Sequence, residues 1–180
     1  LAFIEKRPDF AVSIGLVSRA GKPIIGVVYD PSRHTLYHAI SGQGAFKNDA
    51  PWRVDVENPH LTYVSDHPLE KAVGRDQIES IIQQTRQELG LSETKVISGG
   101  GLVINAMRTA ENRPALMLKI PKASAGGGSL WDYAASACIC TELGMEVRAF
   151  TGGALDLNRQ EGTFMNEGGM FYGNGVKKSN

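Results

Sequence analysis

The stretch GGGSLWDYAASACICTELGM, Gly126 to Met145, constrains the fold of this 180-residue chain more than any other. Three glycines run into a serine, a tryptophan and an aspartate, and a helix built largely from small residues follows. Ser129-Leu130-Trp131-Asp132 has the spacing of a capping box, in which the serine hydroxyl and the acidic side chain each satisfy a backbone N–H of the other. A second reading makes Asp132 a ligand for a hard metal ion. A carboxylate at the positive end of a helix, beside glycines, suits Mg2+ while the backbone N–H groups face a phosphate. A third reading takes Ser98 to Gly101 (SGGG) and Ala125 to Ser129 (AGGGS) as nucleotide-cradling loops, although neither matches a Walker or dinucleotide fingerprint. Two glycine runs that each feed a helix N-terminus favour one shared anion site, because glycine lets a ligand come close to the backbone.

Length and composition describe a soluble folded chain. A domain of this length buries roughly 70% of its unfolded surface, and apolar residues at 42% with charged residues at 21% are ordinary globular values. Lys plus Arg and Asp plus Glu are 19 each, so no global field draws the chain to nucleic acid or anionic lipid. Cys138 and Cys140 stand two apart in an expected helix, where their side chains point to different faces and are poorly placed to bridge. Two cysteines without a framework, and no apolar run near the ~18 residues of a membrane span, set the expectation of a cytoplasmic protein.

Along the chain, FAVSIGLVSRAGKPIIGVVYDPSRHTLYHAIS from Phe10 reads as three strands of an antiparallel meander, with RAGKP and DPSRH as turns. GQGAFKNDAPW reads as irregular, and LTYVSDH from Leu61 as a strand. GRDQIESIIQQTRQELG spaces Ile78, Ile81, Ile82 and Leu89 along one helical face and stops at Gly90. The remainder alternates: strand TKVIS, helix GLVINAMRTAEN, strand PALMLKI, the Trp-Asp helix and strand MEVRAF. This predicts an α/β (α+β layered) fold, with one unit over 1–58 carrying the meander and a second over 59–180 carrying the Trp-Asp helix.

Four basic residues accompany this half: Arg108, Arg113, Lys119 and Lys122. Most such residues are solvated surface, and Arg108 and Arg113 read that way. Lys119 ends the apolar run PALMLK, where the C-terminal edge of a strand meets the crevice that open α/β sheets use for ligands. His67, in VSDHP at the end of another strand, has a similar claim to substrate. His34, His38 and His60 read as surface or packing residues.

Three stretches carry a resemblance to a known family: FAVSIGLVSRAGKPIIGVVYDPSRHTLYHAISGQGAFKND, GGLVINAM and WDYAASACICTELGMEVRAFTG. Together they resemble the inositol monophosphatase family, the Mg2+-dependent phosphomonoesterases that include 3′(2′),5′-bisphosphate nucleotidases. The resemblance implies alternating helix and sheet layers, a homodimer and hydrolysis of a phosphomonoester by metal-activated water. It also implies a metal-ligand role for Asp132 and a substrate pocket lined by Gly100, Gly101, Lys119 and His67. A lysine at 119 tilts the expected substrate toward one with a second anionic group, among bisphosphate nucleotides and inositol or sugar phosphates. The family's other metal carboxylates come from an upstream glutamate and an Asp-Pro-x-Asp-Gly-Thr motif, and neither occurs between Leu1 and Asn180. That motif ordinarily ends just before a segment like LAFIEKRPDF, so the expectation is that the chain is part of a longer protein. The alternative is a non-catalytic binding or assembly module, a truncated phosphatase fold without a complete metal site.

Overall fold

The computed structural model describes Ile4, residues 8–55 and residues 57–176, and within them the chain builds two five-stranded sheets. The first is an antiparallel meander of β1 (Val12–Val17), β2 (Pro23–Asp30), β3 (Thr35–Ile40), β4 (Ala45–Lys47) and β5 (Ala50–Pro51) in sequence order. The last two strands occupy the stretch expected to be irregular. Asn48 and Asp49 both adopt positive φ, 49° and 62°, between the paired Lys47 and Ala50. The Asn-Asp signal is therefore a tight hairpin turn of the kind that joins antiparallel strands.

The second sheet has the order β7-β6-β8-β10-β9. β6 (Leu61–Ser65), β7 (Thr94–Ser98) and β8 (Ala115–Lys119) are parallel, whereas β10 (Met170–Asn174) joins β8 and the short β9 (Glu146–Arg148) antiparallel. β10 is an element that the alternating pattern did not predict. Its residues are all buried, and Asn174 uses its amide to donate to the carbonyls of Ala110 (3.1 Å) and Asn112 (2.8 Å) at the end of helix α2 (Leu102–Glu111). The strand thus satisfies carbonyls that a buried helix end leaves without partners.

Helices α2 and α3 (Leu130–Glu142) form a layer between the sheets, and α1 (Arg75–Glu88) covers the far face of the second sheet. Strands β6, β8 and β10 are consequently buried on both faces. Val64, Met117 and Tyr172 point to the central core, while Leu61, Tyr63, Leu116, Leu118 and Phe171 pack toward Ile78 and Ile82 of α1. This explains their near-continuous apolar runs. α1 ends as expected at Gly90, φ 68°, where Gly90 and Leu91 donate back to the carbonyls of Gln87 and Arg86.

The small residues of α3 have a direct structural reason. Gly15 of β1 is registered opposite Gly26 of β2, and α3 lies on this pair. A Cβ at Gly15 would stand 2.7 Å from Ala134 Cβ, and one at Gly26 only 2.3 Å from the Ala135 carbonyl oxygen and 3.0 Å from Cys138 Cβ. Glycine on the sheet and alanine or cysteine on the helix let the two backbones approach. Cys138 and Cys140 are both buried free thiols within this packing. The opposite face of β1 carries Val12, Ile14 and Leu16, all more than half exposed.

A polar cluster ties the meander to the C-terminal end of α2. Glu111 accepts from Tyr37 Oη and Lys47 Nζ, both at 2.7 Å, and from Arg33 Nη1 at 3.0 Å, while Arg33 Nε donates to Asp30 at 2.6 Å. Burial pushes the Glu111 carboxyl up, but Lys47, Tyr37 and Arg33 outweigh it and hold the group below the ordinary value. Burial likewise raises Asp30, and Ser32 with Arg33 reverses the shift.

Two outcomes are expected. Gly26→Ala overpacks the contact between sheet and helix and lowers stability by about 2 kcal/mol, read from urea denaturation followed by circular dichroism. The depressed carboxyls contribute stability that is fully present above their unfolded values of about 4 and is lost as pH falls through their lower folded values. Urea midpoints should therefore fall on acidification, and Glu111→Gln should flatten that slope while itself costing about 2 kcal/mol through the unpaired cations.

Candidate functional site

Strands β6 and β8 run side by side and parallel, with Tyr63 opposite Leu116, so both reach the same edge of the sheet at their C-terminal ends. β6 leaves that edge through Asp66 and His67, and β8 ends there in Lys119. A cleft of about 290 Å3 opens between them, completed by Val73 and Ile78 on one side and by Lys122, Gly127 and Asn166 on the other. Open α/β sheets bind ligands in this place, beyond the carboxyl ends of their strands.

Lys119 Nζ donates to Asp66 Oδ2 at 2.5 Å, and both side chains are largely shielded, at 22% and 28% exposure. Burial, followed by the charge of Asp66, pushes the Tyr63 hydroxyl up to about 12. Tyr133 is raised further by burial and then by Asp66 and Asp132. Its hydroxyl therefore stays protonated and donates to the carbonyl of Gly127. Asp66 and Asp132, 66 residues apart, both act on this one hydroxyl.

The glycine loop that precedes α3 is shaped by close contacts. Gly126, Gly127 and Gly128 have φ of 127°, 76° and 91°, values that side-chain-bearing residues rarely adopt. A Cβ on Gly128 would lie 3.0 Å from the Tyr133 ring and 3.1 Å from Leu102 Cδ1. The first turns of α2 and α3 thus meet across Gly128. The segment Thr163–Asn166 runs along the loop: Leu130 donates to the Thr163 carbonyl and Met165 to that of Gly128, at 2.9 and 3.0 Å.

At the start of α3 both halves of the capping box are formed, and the Ser129 N–H donates to Asp132 Oδ2 at 2.8 Å. The capping reading of Ser129 to Asp132 is thereby realised. Asp132 is partly exposed but is not among the residues that line the cleft; its charge acts on Tyr133, whose hydroxyl donates to the cleft residue Gly127. A carboxylate on a first helical turn suits a hard cation as an oxygen donor. Among the described residues, however, no group of three or more His, Cys, Asp or Glu side chains is placed to hold a metal ion.

Of the residues singled out from the sequence, Lys119 and His67 line the cleft, whereas Gly100 and Gly101 do not. Gly101 is the extended N-cap of α2 with open space around it. Above Gly100 lies Arg108: a Cβ there would be 2.7 Å from Nη1. Arg108 is not the solvated surface residue expected. Its Nη1 donates to the Gly99 carbonyl and to Asn105 Oδ1, and its Nη2 to Asp9, at 2.9, 3.1 and 2.9 Å. What fills the space over Gly100 is the chain's own guanidinium. Asp66, Lys122 and Asn166 were missed. Asp66 stands next to His67 in VSDHP, and its signal was the lysine that a carboxylate at a strand end needs as a partner.

Residues 1–177 match the inositol monophosphatase family. The 3′(2′),5′-bisphosphate nucleotidase CysQ of Escherichia coli K12 is 29% identical over 167 residues, which cover 92% of this chain and 61% of the relative. Inositol monophosphatase 2 of Solanum lycopersicum is 32% identical over 158 residues, covering 86% and 56%. The chain thus spans about three fifths of the length of these relatives. The crystal structure of inositol monophosphatase II from Staphylococcus aureus MSSA476 superposes with a TM-score of 0.69 at 23% identity, over 97% of this chain and 61% of that one. The two-sheet, layered architecture is the same in both. With its sheet order, its Trp-Asp helix start and almost every residue within the match, the chain belongs to the inositol monophosphatase family.

Proposed function

We propose that the chain carries the substrate cleft, and one metal ligand, of a Mg2+-dependent enzyme that hydrolyses a phosphomonoester on a small phosphorylated metabolite. The observation that carries this reading is the cleft at the ends of β6 and β8, where two lysines and a histidine stand beside the glycine loop and first turn of α3. Cations and a helix N-terminus are what a phosphate dianion needs in order to bind. The relatives support the reaction class. One is a bisphosphate nucleotidase, another an inositol monophosphatase, and the related SaIMPase-II was crystallised with 2′-AMP and with inositol monophosphate.

Lys119 and His67 would contact the substrate directly. Gly101, the N-cap of α2 with open space around it, would act through the backbone, whereas Gly100 lies beneath the Arg108 guanidinium. Asp132 would hold Mg2+; a related IMPase/NADP phosphatase was crystallised with Mg2+ and phosphate. Bound there, the ion would polarise the phosphate and lower the pKa of the attacking water. Mg2+ takes about six oxygen ligands, so further donors must join Asp132, from water, substrate and carboxylates outside the described clusters. The lack of an acidic cluster among the described residues favours the second reading, a non-catalytic binding module.

Phosphate release from adenosine 3′,5′-bisphosphate and inositol 1-phosphate, with Mg2+ and with EDTA, separates the two. The phosphatase reading expects Mg2+-dependent release; no release from any phosphomonoester tried makes the binding module correct. Asp132→Asn keeps an oxygen for the Ser129 N–H, so thermal unfolding should change little while turnover falls by about 100-fold or more. Unchanged release with unchanged Mg2+ dependence would remove Asp132 from the metal site. A homodimer belongs to the same proposal, and sedimentation equilibrium should return twice the chain mass.

A further inference from the structure

The ionic groups of the cleft are paired unequally. Lys119 is bound to Asp66 at 2.5 Å, and the pair is largely shielded from water. The Asp66 carboxylate offsets part of the attraction that Lys119 exerts on an anion, and the pair carries no net charge. An anion approaching Lys119 also meets the Asp66 carboxylate.

Lys122 differs in each respect. Among the described residues its ammonium makes no ion pair or hydrogen bond, yet it lines the same cleft. Nor is it a lysine waving in solvent. Its backbone N–H donates to the Asn166 carbonyl and its carbonyl accepts from Asn166 Nδ2, both at 2.9 Å. Its Nζ lies over Gly126, where a Cβ would stand 3.2 Å away. The ammonium therefore rests against the glycine loop that leads into the N-terminus of α3. A cation and a helix N-terminus both favour an anion.

We propose that Lys122, rather than Lys119, is the specificity-determining cation: it pairs with a second anionic group that the substrate carries in addition to the phosphate to be hydrolysed. The Asp66–Lys119 pair then presents a donor and an acceptor without net charge, suited to hydroxyl groups. This assignment rests on the phosphomonoesterase reading and narrows it to substrates with two anionic groups.

Two nucleotide probes test it: adenosine 3′,5′-bisphosphate, which has two phosphates, and 2′-AMP, which has one. Dissociation constants for both are measured by titration calorimetry at one fixed salt concentration, for the wild type, Lys122→Met, Lys122→Arg and Lys119→Met. The wild type should prefer the bisphosphate. Lys122→Met should reduce that preference by about 10-fold or more, and Lys122→Arg should restore most of it. Lys119→Met leaves Asp66 unpaired, so it should weaken both probes together and move their ratio by less than about threefold. The proposal is overturned if the wild type shows no preference or binds neither probe, if Lys122→Met keeps the ratio, or if Lys119→Met is the variant that abolishes it. Phosphate release measured on the same samples keeps the two readings apart. A ratio that depends on Lys122 without any turnover would refute hydrolysis and retain Lys122 as the anion-reading cation of a binding module.

Discussion

Everything at the site depends on how closely α3 lies on the meander. Gly15 and Gly26 face each other across β1 and β2, and the helix backbone at Ala134 and Ala135 takes the space that their side chains would fill. This contact fixes the position of α3, and α3 in turn fixes Ser129, Asp132 and Tyr133. The N-terminal half of the chain thereby determines where the first turn of a distant helix stands relative to the second sheet. Backbone-to-backbone contact leaves little room for adjustment, because a packed interior transmits displacement rather than absorbing it.

The second sheet supplies the other half of the arrangement. Its parallel strands bring the ends of β6 and β8 to one edge, and the Asp66–Lys119 pair joins them there. Opposite stands the glycine loop, pressed between the first turns of α2 and α3 and tied down by Thr163–Asn166. The Asp66–Lys119 pair therefore carries no net charge, whereas the Lys122 ammonium, unpaired among the described residues, stands against the glycine loop. A ligand oriented by charge would place its most anionic group toward the loop. Asp132 serves the cap with one oxygen and remains partly exposed, so capping and ion binding are compatible uses of the same carboxylate.

Much of this was legible in the sequence where the signal was local. The spacing of Ser129 and Asp132 announced the capping box, the isoleucines of α1 its buried face, and Gly90 its end. Lys119 and His67 were singled out because each follows a recognisable strand, and both line the cleft. The reading failed where local chemistry pointed elsewhere. Asn48 and Asp49 looked like loop residues and are a hairpin turn, since positive φ at two successive residues serves a tight connection between paired strands. β10 escaped because its strand pairing lies with β8, some fifty residues earlier, and its glycines resemble a turn. Gly100 seemed open to a ligand because nothing nearby in sequence revealed that Arg108 would fold back over it.

The sequence by itself determined the layered architecture, the helix starts and the set of groups available for chemistry, because periodicity, capping and turn residues act over a few positions. The tertiary structure alone decided which of those groups meet. Asp66 and Lys119 are 53 residues apart and became partners only through the register of parallel strands. That pairing neutralised the lysine to which the strand pattern pointed and left charged the one it did not. Charge is a property of residues, but the field a ligand encounters depends on which residues the fold has already paired.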